Sequence, residues 1–279
     1  MINLSNKNII LNSFKESFAK IWQNKFLFLL LFILQIVFFV ALPSITYNYI
    51  PKMIENQNAI EEYMGNLKLD EISIAEEIMQ QKNILGDDPL LISRNFDEIV
   101  KNFRLYLIYL FILLIVSIST FWTLTLKLIH KINFKYAVKI FIKIFAISIF
   151  YLGLIFSFFY SLFNITFTEV AVEGTKIFTK YIPFLLFSII LIYFMFISLA
   201  LSYKTELKNI VQKTLVIGIK KAHHILTVYL INMLLFAVPL ISLFYFIEKN
   251  LFVLLLSIIL MIFGFVFGRA FLVNVVEKL

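Results

Sequence analysis

The side chains able to do chemistry are few, and most are badly placed for it. There are three histidines, His130, His223 and His224, and no cysteine. Neighbouring histidines on a helix point to different faces, so His223 and His224 make a poor chelating pair, and a three-histidine site would need distant segments to converge. Without cysteine there is no disulfide, no thiol nucleophile and no Cys-based zinc or iron–sulfur site. Acidic residues gather between 51 and 102, among them Glu61, Glu62, Asp70, Glu71, Glu76, Glu77, Asp87 and Asp88. Oxygen ligands of this kind can hold a divalent cation. The spacing fits no calcium loop, however, and a solvated acidic loop is the simpler expectation. The sequence holds no Walker A, G-x-S-x-G or H-E-x-x-H pattern. We expect no cofactor, no metal and no enzymatic activity.

Polar residues inside apolar runs are costly in lipid and mark either a path or the seams between helices. Gln35, Thr120, Thr123 and Asn232 are the candidates, with Ser117, Ser119 and Thr125 nearby. None of these runs carries a central carboxylate, which disfavours a proton- or sodium-coupled carrier. Gly264 and Gly268 form G-x-x-x-G, a spacing that lets a second helix approach closely, either within the chain or in a homodimer. The internal contact is favoured. Pro239 should bend the run that holds it. Trp22, Lys135, Lys139 and Arg269 are read as interfacial anchors, Arg269 by snorkelling to headgroups.

The elements that must position these residues follow from composition. The chain of 279 residues is 61% hydrophobic and only 15% charged, with 33 Phe, and its mean hydropathy is +0.93. A water-soluble fold could not hide so much apolar surface. A membrane helix needs about 20 mainly apolar residues, and six runs qualify: 26–47, 103–126, 144–163, 182–203, 225–247 and 251–273. The first run is too long for a signal-peptide core and has no cleavage site after it. The segments on one side of the spans hold 16 basic and three acidic residues, and those on the other hold nine basic and 14 acidic. The positive-inside rule makes the first side cytoplasmic, with both termini there. The net charge of +8 thus points to anionic headgroups on the cytoplasmic side rather than to nucleic acid.

Three basic segments resemble one another: residues 13–23, 133–143 and 214–224. Each has a small residue (Ser17, Ala137, Gly218) followed by an apolar one (Phe18, Val138, Ile219). In the first, Phe14, Phe18, Ile21 and Trp22 share a face. In the second, Lys135, Lys139 and Lys143 line up opposite Phe134, Ala137, Val138 and Phe141. Near the third, Leu207, Ile210, Val211 and Leu215 oppose Lys208 and Lys213. The pattern predicts interfacial amphipathic helices. It groups the spans into three repeated hairpins, each led by such a helix. In this the chain resembles a broad set of prokaryotic six-span membrane proteins without an assigned activity, among them the membrane domain that accompanies some glycerophosphodiester phosphodiesterases. The resemblance implies a six-span fold and no activity.

The expectation is therefore an all-α, polytopic bundle of six transmembrane helices forming a single membrane domain over residues 1–279. An acidic, helix-rich extracytoplasmic loop covers 51–102, with Pro51 opening one of two or three short helices. The protein is expected in the cell membrane, acting through packing with lipids or with a protein partner. The alternative is a permease or the membrane subunit of a transporter. A transporter calls for a polar cavity between spans one, two and five, and a packing protein calls for a dry core there.

Overall fold

The structure, a computed structural model, describes residues 4–66, 90–162, 179, 182–246 and 250–279. Among these residues the regular secondary structure is all helix. The elements in chain order are α1 (Leu4–Gln23), α2 (Lys25–Asn66), α3 (Leu91–His130), α4 (Phe134–Leu162), α5 (Ile182–Leu201), α6 (Leu207–Lys220), α7 (Ala222–Phe246) and α8 (Leu251–Val276). Six of them, α2, α3, α4, α5, α7 and α8, are long and apolar enough to cross a membrane. The protein is an integral membrane protein of the multi-pass kind.

Two helices run well past the predicted spans. α2 has 42 residues and continues through Pro43 and Pro51, and α3 has 40. At 1.5 Å per residue each is about 60 Å long, twice the thickness of a bilayer core. Pro51 therefore does not open a new helix. Its fixed φ suits a helix, and no glycine or cap between Tyr47 and Pro51 stops the preceding turn. The two ends of the expected loop are thus extensions of spans one and two. Asp70, Glu71, Glu76, Glu77, Asp87 and Asp88 lie outside the described residues, as do Glu248 and Lys249. Asn250 caps α8, its side chain accepting from the backbone N–H groups of Phe252 at 3.0 Å and Val253 at 3.2 Å.

The chain forms two compact units. One comprises Ala41–Leu113 and Phe156–Leu185. It is held by aromatic contacts such as Tyr49 on Tyr109 at 5.7 Å and Phe111 on Phe156 at 5.1 Å. The other comprises Met1–Val40, Leu114–Ile155 and Leu186–Leu279, and it contains every residue of the site described below.

The centre of the larger unit is the second half of α8. Val266, Phe267, Ala270, Phe271 and every residue from 272 to 276 are buried. A helix buried on all sides must be ringed by others. α1 lays Phe14 against Phe267 at 4.8 Å and Phe271 at 5.6 Å. α2 brings Phe28 to Phe263 and Phe39 to Phe265. α7 places Phe236 on Phe265 at 4.3 Å. Between α1 and α8 runs a polar seam. Asn274 Nδ2 donates to Ser17 Oγ at 2.7 Å, Lys20 Nζ donates to Asn274 Oδ1 at 3.0 Å, and Ser17 Oγ donates to Ser13 O at 2.6 Å.

The buried faces differ from those expected of amphipathic helices. α1 buries Ser13, Ser17 and Ile21, whereas Phe18 is exposed and Trp22 is 65% exposed, its ring 4.6 Å from the Lys25 ammonium. α6 buries Ile210, Thr214 and Gly218 and exposes Leu207, Val211 and Leu215. The second segment is not a separate helix at all. Residues 134–143 run directly into span three as part of the 29-residue α4, with Ala137 and Ile140 buried and Lys135 and Lys139 exposed. The common feature is that the small residue of each segment (Ser17, Ala137, Gly218) is buried and the apolar residue after it is exposed. In lipid, small residues admit a neighbouring helix and large apolar ones can face the acyl chains without loss.

The chain just after α8 is tied to α1 by charge. Glu16 pairs with Lys20 at 2.7 Å and with Lys278 at 2.6 Å. Hydrogen bonding to Lys20, then to Lys278, holds its carboxyl below the usual carboxylate range. A depressed folded-state value means stability present above the unfolded value and lost as pH falls through the folded one. We expect α1 to dock less firmly as pH drops below about 4.5. The effect should be small, because the pair is partly exposed and screened by salt. Hydrogen exchange over residues 4–23 measures it. Equal pH sensitivity in Glu16→Gln would remove the pair as its source.

Candidate functional site

Gln35, Thr125 and Arg269 are 90 to 234 positions apart in the chain, yet the larger unit brings them together. α2 buries the 31/35 stripe, so Gln35 looks inward from the middle of its span. α3 buries Thr125, whose hydroxyl bonds back to Phe121 O at 2.8 Å. Arg269 on α8 donates through Nη2 to Gln35 Oε1 at 3.0 Å and, with a longer bond, through Nε to Thr125 Oγ1 at 3.4 Å. Its guanidinium also lies over the Phe121 ring, 5.1 Å from the centroid. Arg269 is therefore not a snorkelling anchor. The amide of Gln35 and the hydroxyl of Thr125 turn it into the bundle. No carboxylate among the described residues pairs with it.

Beside this cluster lies a cavity of about 500 Å³ among α2, α3, α5, α7 and α8. Sixteen residues line it, and only Ser117, Gln35, Tyr229, Asn232 and Arg269 among them carry strongly polar groups. The rest of the wall is Phe38, Phe121, Trp122, Phe196, Phe236, Phe265 and aliphatic side chains. Trp122 stacks on Phe196 at 6.1 Å, which stiffens one side. Met233, also a lining residue, is 67% exposed, so the cavity reaches the outer, apolar face of the unit along α7. It is neither a continuous polar path nor a dry core. It is a mainly apolar chamber with Arg269, Gln35 and Asn232 in its wall.

α7 and α8 meet where their backbones can come close. A Cβ on Gly268 would sit 3.1 Å from Asn232 Cγ, and one on Gly264 would sit 3.3 Å from Phe236 Cε1. Both glycines thus face α7, in the same chain. Asn232 Nδ2 donates to Gly268 O at 3.3 Å, leaving Oδ1 buried without a partner. Of the four intramembrane polar candidates, Gln35 and Asn232 line the cavity, and Thr120 and Thr123 do not. Thr120 bonds back to Val116 O at 2.8 Å, and Thr123 is buried with its hydroxyl unpartnered. The sequence pointed to Gln35 and Asn232 as costly residues in lipid. It pointed away from Arg269, whose place near a span end looked ordinary.

A second polar cluster closes the unit near the chain ends. Glu277 accepts from His130 Nε2 at 2.8 Å and pairs with Lys204 at 3.3 Å, while His130 stacks on Tyr203 at 4.0 Å. Lys143 Nζ donates to Ser202 O at 2.6 Å and Thr205 O at 2.8 Å, satisfying carbonyls at the end of α5. These groups partner one another, so the cluster reads as structural. Among the described residues no group of three or more His, Asp or Glu is placed to hold a metal ion.

Compared with known proteins, the chain matches no family model, no curated protein and no solved structure.

Proposed function

We propose that this is a non-enzymatic, multi-pass protein of the cell membrane that holds a membrane amphiphile in the cavity of its larger unit. One observation carries this reading: the chamber is apolar along most of its wall, holds the paired Arg269 and Gln35 with Asn232 in that wall, and reaches the outer apolar surface at Met233. Its volume falls within the roughly 300–1,000 Å³ of ligand pockets. A cavity wall of aromatic and aliphatic side chains suits an acyl chain, and the polar cluster suits a headgroup. The charge asymmetry of the flanks supports cytoplasmic termini.

The binding test compares wild type with Ser117→Phe, which fills the chamber, by native mass spectrometry of protein purified in mild detergent. Wild type should carry an amphiphile adduct and Ser117→Phe should have lost it. Equal adducts on both proteins would remove the cavity from the account. For topology, the chain has no native cysteine. Single cysteines replacing Lys208 and Glu61 should be labelled from opposite sides of the membrane.

A permease is the second reading, and the meeting of Gln35, Asn232 and Arg269 at one cavity favours it. It requires solute flux in reconstituted vesicles that Asn232→Leu abolishes. Binding without flux leaves the first reading standing alone.

A further inference from the structure

Among the described residues, Arg269 is a cation with no anion beside it. A guanidinium is always charged at neutral pH, and lodging it in a membrane bundle is expensive unless something balances it. Gln35 and Thr125 supply oxygens but no charge, and the Phe121 face supplies only a weak quadrupole. Two of its three nitrogens are engaged, Nε and Nη2. Nη1 donates to no described protein group. Arg269 lines the cavity, so the group that completes its coordination would enter there.

We infer that the cavity takes a single-chain anionic amphiphile whose carboxylate or phosphate pairs with the Arg269 guanidinium while its chain lies along the aromatic wall. This rests on the amphiphile reading above and narrows it to a charge class. The fork of a guanidinium matches the two oxygens of a carboxylate or phosphate, and such charge-assisted bonds are about twice as strong as neutral ones. Asn232, at the same cavity, has an amide that can turn a donor to a headgroup oxygen. The size argues for one chain. At about 30 Å³ for a water-sized group, a chamber of about 500 Å³ admits on the order of 16 such groups. The opening at exposed Met233 lies on an apolar surface beside Leu234 and Leu230, so the ligand arrives from the bilayer rather than from water.

The chain contains two tryptophans. In a Trp22→Phe background the fluorescence of Trp122, which is 2% exposed and lines the cavity, reports occupancy. The full-length protein in phosphatidylcholine nanodiscs is titrated with a brominated long-chain fatty acid, the matching brominated alcohol, and a brominated alkyl phosphate. The two anions should quench at concentrations at least tenfold lower than the alcohol. Arg269→Gln should bring the three probes together, and Arg269→Lys should keep part of the preference. Inorganic phosphate in millimolar excess should not restore the fluorescence. If it does, the site takes a free anion and the amphiphile is overturned. Equal quenching by acid and alcohol in the Trp22→Phe protein, which needs no change at Arg269, would overturn the anionic class while leaving the cavity reading intact. No quenching by any probe would sink both.

Discussion

Replacing Phe271 by Ala should lower stability by about 3 kcal/mol, within the range for deleting a fully buried aromatic side chain. Phe271 has no exposed surface. Its ring meets Phe14 at 5.6 Å edge-on and Phe267 at 6.0 Å in a stacked arrangement. It therefore joins α1 to the core of α8. In a bilayer the loss does not come from exposing apolar surface to water, because lipid is as apolar as the core. It comes from dispersion contacts that a void cannot replace. Reversible unfolding in mixed micelles measures it, with Phe252→Ala as reference. Phe252 lies on the same helix but is 74% exposed, so its truncation should change stability by no more than about 0.5 kcal/mol. If the two variants behave alike, α8 is not the hub of the unit.

Gly268→Leu should cost a similar amount, about 2–3 kcal/mol, by the opposite route of overpacking. Even the first carbon of a side chain there meets the Asn232 amide at 3.1–3.2 Å. The rest of a leucine must push α7 away or expel the amide, breaking the bond from Asn232 to Gly268 O. Asn232 would then keep a buried amide with fewer partners, adding on the order of 0.6 kcal/mol by the measured strength of such bonds in membranes. The same substitution shrinks the chamber, since Gly268 lines it, so amphiphile binding should fall along with stability. Gly153→Leu is the reference, because nothing lies within 4 Å of a Cβ at that position. Comparable losses at Gly153 and Gly268 would mean that helix propensity or handling, and not the α7–α8 contact, sets the effect.

The glycine pair shows what local spacing can convey. Two glycines one turn apart announce a close approach whatever the rest of the chain does, and the structure supplies the neighbour, α7. Gln35 and Asn232 were legible for a related reason, because a strongly polar side chain in an apolar run must find partners or a cavity. Thr120 and Thr123 were weaker signals, since a hydroxyl can satisfy itself on its own helix, as Thr120 does on Val116 O.

The amphipathic faces misled for a physical reason. In water, a stripe of Phe, Ile and Trp marks the buried side of a helix. In lipid, that stripe is content on the outside, and the seams are made by serine, threonine, alanine and glycine. Thus α1 packs through Ser13 and Ser17 together with Phe14 and Ile21, while Phe18 and Trp22 are left outside, and α6 packs through Ile210, Thr214 and Gly218 while Leu207 and Leu215 are left outside. The extent of α2 was hidden for a different reason, since Pro43 and Pro51, of a residue type that ends many helices, both sit inside it.

By itself, then, the sequence determined that the chain is a membrane protein with six spans, because run length and apolarity are local quantities set by bilayer thickness. It also marked the two glycines and the two amides that would be costly to leave unpartnered. The tertiary structure alone decided that α8 is the central helix, and that Arg269 turns inward to Gln35 and Thr125 beside an apolar chamber. No local signal could carry that outcome. An arginine near a span end is equally compatible with headgroups and with the core, and only partners brought from α2 and α3 choose between them.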